Sequence, residues 1–179
     1  MSKLFQGGWQ MLKDSLISCG AIKFGHFVLT SGKESNYYVD IKKASTEPNV
    51  LQEIAQEMSK IISGDNYELL AGMELGAVPL VVALALETKI PYVIIRKEKP
   101  AHGTGKQVIG NVEPSKRVLI VEDVATTGGS VVKAIDVLRG EGLTVDKVIV
   151  VVDREEGAKE KLKDYNVELI PLVKASELK

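Results

Sequence analysis

Two adjacent carboxylates, Glu122 and Asp123, stand between an apolar run, Val118-Leu119-Ile120-Val121, and the polar stretch Val124-Ala125-Thr126-Thr127-Gly128-Gly129-Ser130. That succession reads as a buried strand, a short loop and the start of a helix. Backbone amides opening a helix, with hydroxyls beside them, make an anion pocket, and glycine lets the main chain approach a phosphate closely. The two acids would repel a bare phosphate. They suit a ligand with vicinal hydroxyls, whose O–H groups a carboxylate can accept, or a site close to a bound cation. Phosphate and diol together describe a ribose phosphate. A plainer reading is a strand–turn–helix joint whose threonines only cap the helix. The run from Val118 to Ser130 is, however, far longer than a lone Gly-x-Gly-x-x-Gly. A Walker A loop is excluded, because Gly103-Thr104-Gly105-Lys106-Gln107 has neither the four-residue gap nor a Ser or Thr after the lysine.

A second group, Arg96-Lys97-Glu98-Lys99-Pro100-Ala101-His102-Gly103-Thr104-Gly105-Lys106, sets four cations against the single carboxylate of Glu98. Cations on a glycine-hinged loop suit a departing polyanion such as pyrophosphate, which they neutralise while the loop excludes water. The plainer reading is a solvated basic loop. A third feature is Asp153-Arg154-Glu155-Glu156-Gly157 after the apolar run Val148 to Val152. The Arg154 guanidinium can pair bidentately with a carboxylate, which lysine does poorly; its plainer role is an ion pair with a neighbouring acid.

The elements that must position these groups are legible from hydrophobic pattern. Apolar residues at helical spacing between Trp9 and Ile17 predict a helix ending at Cys19-Gly20. Ala21 to Ile41 reads as extended pieces around a turn at Thr30-Ser31-Gly32-Lys33. A helix starts at Thr46 or Glu47 with Pro48 in its first turn. Strands are predicted at Leu69 to Ala71, Pro91 to Ile95, Arg117 to Val121, Val145 to Val152 and Val167 to Ile170. Helices between them end near Thr88, run from about Gly129 to Arg139, and lie near Glu156 to Lys163. Strands alternating with helices, and built of continuous β-branched runs, imply an α/β fold: a parallel sheet with right-handed crossovers, flanked by helices on both faces. Ligands of such sheets bind beyond the carboxyl ends of the strands. Those ends are here Gly72-Met73-Glu74, Arg96-Lys97, Glu122-Asp123 and Asp153-Arg154.

The bulk numbers narrow the function classes. A chain of 179 residues, 45% apolar, is expected to form a single domain over 1–179 with its own core. Twenty-three basic against 24 acidic residues leave a net charge of -1, which argues against a nucleic-acid coat. One cysteine, Cys19, allows neither an internal disulfide nor a thiolate zinc site. No signal-peptide core is present, and the longest apolar stretch, Ala77 to Leu86, is too short to span a bilayer. A cytoplasmic protein without a membrane or nucleic-acid partner is the expectation.

The run from Val118 to Ser130 resembles the signature of the type I phosphoribosyltransferase family. The basic group resembles the catalytic loop of its orotate phosphoribosyltransferase members, with Arg-Lys-Glu, a lysine spacer and His-Gly. Asp153-Arg154 stands where those enzymes place Asp-Arg, and Phe27 to Asp40 resembles their hood segment, whose aromatic pair packs on the base. The resemblance extends from about Phe24 to Gly157, with the three motifs in family order. It implies a hood over about 1–45 and an α/β core over about 46–179. It implies transfer of ribose 5-phosphate from phosphoribosyl pyrophosphate to orotate, with Mg2+ bridging pyrophosphate and ribose hydroxyls and no direct side-chain metal ligation. It further implies a homodimer that shares the basic loop. Thr126, Thr127, Gly128, Gly129 and Ser130 would hold the 5'-phosphate and Glu122 and Asp123 the ribose hydroxyls, with Val124 and Ala125 also in the phosphoribosyl pyrophosphate site. Arg96, Lys97, Lys99 and His102 would face pyrophosphate, and Thr126 and Arg154 the orotate, whose carboxylate the purine bases lack. Lys99 and Asp123 would be catalytic. This sequence departs from the pattern at Pro100, where the family has its loop lysine, and at Thr30 and Leu75, where many bacterial members have lysines. A purine-specific enzyme, or a regulator that senses phosphoribosyl pyrophosphate without turnover, would share much of the pattern.

Overall fold

The computed structural model describes residues 3–28, 32, 34–99 and 105–178. Helix α1 (Lys3–Ser18) buries Leu12 and Leu16, one turn apart on one face. Strands β1 (Ile22–Val28) and β2 (Glu34–Val39) form an antiparallel pair in which Ile22 faces Val39 and Val28 faces Glu34. Apart from Gly32, the turn expected between them lies outside the described residues. The Asp40 carboxylate accepts the Lys43 amide at 3.2 Å and so caps the short helix α2 (Ile41–Ala44). Helix α3 (Pro48–Ile62) starts where Glu47-Pro48 predicts it and buries Ile54 and Met58.

The remaining elements are β3 (Leu69–Met73), α4 (Val78–Thr88), β4 (Tyr92–Ile95), β5 (Val108–Ile109), β6 (Arg117–Ala125), α5 (Gly129–Gly140), β7 (Thr144–Asp153), α6 (Ala158–Lys163), β8 (Glu168–Lys174) and a 3-10 turn, Ala175–Leu178. They form one six-stranded sheet in the order β5-β4-β3-β6-β7-β8, parallel except where β5 pairs antiparallel with β4.

Alternation along the strands splits the core into two layers. Leu119 and Val121 of β6 pack with Leu12, Met58 and Leu84 from α1, α3 and α4. Val118 and Ile120 face the other way, onto Ile135 and Leu138 of α5 and Leu162 of α6. The strand order explains the split. From β3 the chain winds outward to β4, then returns across β3 to β6 and winds the opposite way to β7 and β8. Right-handed crossovers in opposite directions put α4 on one face and α5 and α6 on the other. The reversal falls between β3 and β6, and the crevice beyond their carboxyl ends is where such sheets bind ligands.

Three local readings are corrected. Strand β6 does not end at Val121 but continues through both acids to Ala125, because β7 keeps pairing with it as far as Asp153. Helix α6 begins at Ala158 rather than Glu156, since Gly157 adopts φ +105° and reverses the chain there. The two-residue strand β5 had no signal of its own beyond Val108-Ile109.

Leu119 is fully buried at the centre of the sheet. Leu119→Ala is expected to lower unfolding free energy by about 2–5 kcal/mol in urea titrations.

Candidate active site

At the reversal point β6 outruns β3. The last β3–β6 pair is Gly72 with Val121, so Glu122 and Asp123 have a strand on only one side. The backbone after β3 turns back toward them. Gly76 comes so close to the Asp123 carboxylate that any Cβ there would collide with it. Glycine is required at that position by contact, since its φ is not in the left-handed region. The result is a cavity of about 560 Å³ with Glu74, Gly76, Glu122 and Asp123 on its acidic side and Lys97 and Lys133 among its cations.

The two acids are held differently. Glu122 is 7% exposed and accepts the Asp123 amide at 2.9 Å. Asp123 accepts the Val124 amide at 2.8 Å, and its other oxygen lies 3.4 Å from Lys42 Nζ. Burial is the main cause that pushes the Glu122 carboxyl up to about 8, followed by its hydrogen bond to and charge repulsion from Asp123; the Asp123 amide and Lys42 pull the other way. Asp123, beside Lys42, is the less buried member of the pair at the cavity wall.

Thr126, Thr127 and Gly128 form the loop that follows, and Thr126 and Thr127 are exposed. Gly128 has φ +79° and stands against the Ala158 backbone of α6. The Ala158 amide donates to the Thr126 carbonyl at 3.1 Å, which fixes the loop against α6. Gly129 and Ser130 then open α5, with no side chain capping its first amides. Those free amides and the exposed hydroxyls are the parts an anion site needs. Ser130 and Val124 line the same cavity as the acidic pair.

The basic group leaves the sheet at Arg96 and returns at Gln107, and these two residues are cross-linked. The Arg96 amide donates to the Gln107 carbonyl at 2.9 Å, and Gln107 Nε2 donates to the Arg96 carbonyl at 3.0 Å. The Lys97 amide donates to Glu74 Oε1 at 2.7 Å, so Lys97 is placed at the cavity. Lys99 is exposed. His102 and Pro100 lie outside the described residues.

Arg154 follows the last residue of β7, and its amide donates to the Ala125 carbonyl at 2.9 Å. Its Nε bonds Glu156 Oε1 at 2.8 Å, the ion pair that its plainer reading calls for, and its guanidinium carbon lies 5.2 Å from the centre of the Tyr37 ring. Alternation on β2 separates the two hood aromatics: Tyr37 turns toward Arg154, whereas Tyr38 packs on Phe27 at 5.6 Å. Arg154 and Thr126 are not in the lining of the acidic cavity.

Sequence reading missed Lys42, Gly76 and Lys133. Lys133 could have been found one helical turn after Ser130. Lys42 and Gly76 carry no local signal, because only the tertiary fold brings them to Asp123. The donor set suits magnesium in one manner. A carboxylate pair beside an uncapped helix start suits a hard cation that takes most of its shell from ligand oxygens and water. Among the described residues no group of three or more His, Cys, Asp or Glu side chains could cage a metal.

An uncapped helix start beside a carboxylate pair, at the reversal of a mostly parallel sheet, is an arrangement of α/β proteins suited to a phosphorylated sugar. The chain belongs to the family described as phosphoribosyl transferase domain, whose model matches residues 41–176. It is 53% identical to orotate phosphoribosyltransferase of Picrophilus torridus over 94% of this chain and 100% of that one. Among solved structures, orotate phosphoribosyltransferase from Aeropyrum pernix superposes with a TM-score of 0.84 at 35% identity, covering 93% of this chain and 94% of that one. The Mycobacterium tuberculosis enzyme in complex with 5-phospho-alpha-D-ribosyl 1-diphosphate gives 0.78 at 25% identity, covering 96% and 98%.

The raised Glu122 carboxyl links stability to pH. Between its ordinary value near 4.5 and about 8, the folded protein keeps a proton that the unfolded chain has lost. The contribution is complete below the lower value and is lost as pH rises through the upper one. Urea unfolding is expected to show stability falling from about pH 5 to about pH 8, with a flatter profile in Glu122→Gln, which has no proton to lose.

Proposed function

We propose that this chain transfers ribose 5-phosphate from phosphoribosyl pyrophosphate to N1 of orotate, giving orotidine 5'-phosphate and pyrophosphate on the route to UMP. The observation that carries the reading is the Glu122–Asp123 pair beside the uncapped start of α5, in a chain half identical to orotate phosphoribosyltransferases. The C1–oxygen bond to pyrophosphate breaks ahead of attack by N1, so positive charge develops on the ribose. Catalysis needs no covalent nucleophile; it is positioning and charge stabilisation.

In this reading Thr126 to Ser130 hold the 5'-phosphate through amides and hydroxyls, with Val124 and Ala125 beside the same ligand. Glu122 and Asp123 accept the ribose hydroxyls, with Asp123 also stabilising the developing charge. Arg96, Lys97, Lys99 and His102 receive pyrophosphate, and Lys99 takes the place of the loop lysine that Pro100 displaces. Thr126 contacts the base, and Arg154 pairs with the orotate carboxylate. Magnesium, when bound, neutralises the pyrophosphate oxygens and lowers the barrier to their departure. The whole chain, 1–179, acts as one unit, with about 1–45 as the hood over a core of about 46–179. It works as a cytoplasmic homodimer whose basic loop reaches the neighbouring site. No helix among the described residues is long and apolar enough to cross a membrane.

Two measurements test this. Orotate consumption, followed by absorbance with phosphoribosyl pyrophosphate and magnesium, is expected to proceed while adenine, guanine and xanthine give no turnover. Arg154→Ala should lower orotate turnover by about a hundredfold and keep phosphoribosyl pyrophosphate binding. Turnover of a purine, insensitive to that change, would point to a purine enzyme instead, and ligand binding without turnover of any base would point to a regulator. For the shared loop, inactive Arg96→Ala and Asp123→Asn subunits are mixed and re-associated. Heterodimers should regain part of the activity, because one of their two sites is intact; no recovery would count against a loop in trans.

A further inference from the structure

The turn that carries Arg154 is unusually well tied. Its start is fixed to β6 by the Arg154 amide on the Ala125 carbonyl, and Asp153 Oδ1 accepts the Glu155 amide at 2.9 Å. Glu155, at φ +56°, sends its carboxylate to the Ser176 amide at 2.7 Å, joining the turn to the C-terminal 3-10 turn. Gly157 then reverses the chain into α6. This path returns Glu156 to the side of Arg154, where it takes Nε at 2.8 Å while Tyr37 lies against the guanidinium. The Arg154 side chain is only 11% exposed.

A guanidinium can grip a carboxylate along its Nε–Nη edge or along its Nη–Nη end. Glu156 takes Nε and so blocks the first. Nη1 and Nη2 make no hydrogen bond within the described residues, which leaves the second open. A pocket that only needed attraction for an anion would not set a carboxylate against its cation. Glu156 gives up attraction and gains a fixed direction.

We propose that Glu156, with Tyr37 as a platform, is a positioning residue that sets Arg154 to read the substrate carboxylate end-on, and thereby sets the preference for a carboxylated pyrimidine over uracil. The proposal rests on Arg154 being the orotate contact.

The test is steady-state kinetics of Glu156→Ala, Glu156→Gln and Arg154→Ala with orotate or uracil as acceptor, after thermal unfolding has established which variants fold. Glu156→Ala is expected to raise KM for orotate about tenfold, leave KM for phosphoribosyl pyrophosphate within about twofold and leave the rate with uracil unchanged. Glu156→Gln should restore most of the loss, because its amide oxygen still accepts from Nε. An unchanged orotate KM in both variants, an equal rise for both substrates, or tighter orotate binding once the charge is removed would each overturn the proposal. If Glu156→Ala does not fold, Glu156→Met, which keeps the bulk and removes the acceptor, takes its place: a raised orotate KM that Glu156→Gln does not share supports the hydrogen bond, and an unchanged or lowered KM overturns it. Arg154→Ala separates the two levels. Collapse there with no response at Glu156 refutes the positioning role only, and no response at Arg154 refutes the orotate contact itself.

Discussion

A buried strand that carries two consecutive carboxylates is electrostatically expensive, and the arrangement of this molecule follows from how that expense is met. Glu122 is nearly buried and holds its proton well above the usual carboxylate range, chiefly because of burial. Asp123 has the Val124 amide on one oxygen and Lys42 near the other. Burying two full charges side by side would be far less favourable than burying one charge and one neutral acid. The site is thus not a pair of equivalent acids: one is buried with its proton favoured, and the other faces the cavity beside a lysine.

The sheet order decides where this can happen. Only beyond β3, where winding reverses, does β6 have a free flank, and only a glycine at position 76 allows the returning backbone to approach it. The segment from β2 into α2 reaches the same region from outside the sheet. Asp40 caps α2 and so aims Lys42 at Asp123, while Tyr37, three residues earlier, meets Arg154. One segment of about six residues therefore touches both the acidic pair and the arginine.

Most of the α/β core was legible because its signals are local. Continuous apolar runs marked β3, β4, β6 and β7, and the Gly-rich joint at Val124 to Ser130 marked the start of α5 by residue type alone. What stayed hidden depends on pairing or on long-range approach. The extension of β6 through Glu122 to Ala125 looks like a loop in sequence, since charged residues seldom occupy a buried strand; β7 forces it. Strand β5 has two residues and exists because Ile95 and Val108 pair at the base of the basic loop. Lys42 and Glu156 look like ordinary surface charges until the fold puts each beside a partner. Tyr37 and Tyr38 read as a pair, yet alternation sends them to different neighbours.

The charge balance of the cavity bears on how pyrophosphate can leave. Glu74 is committed to the Lys97 amide, and Lys42 to Asp123, so the resident acids already use part of the cationic wall. A polyanion entering this space meets Lys97 and Lys133 with little surplus positive charge behind them. In the proposed reaction the rest would come from the basic residues between Arg96 and Gln107 or from magnesium carried on the substrate. A near-neutral chain is compatible with that proposal, because the neutralising charge would not all have to be stored in the folded sheet. Stored cations in that number would hold pyrophosphate after the reaction as firmly as before it, and release would become the slow step.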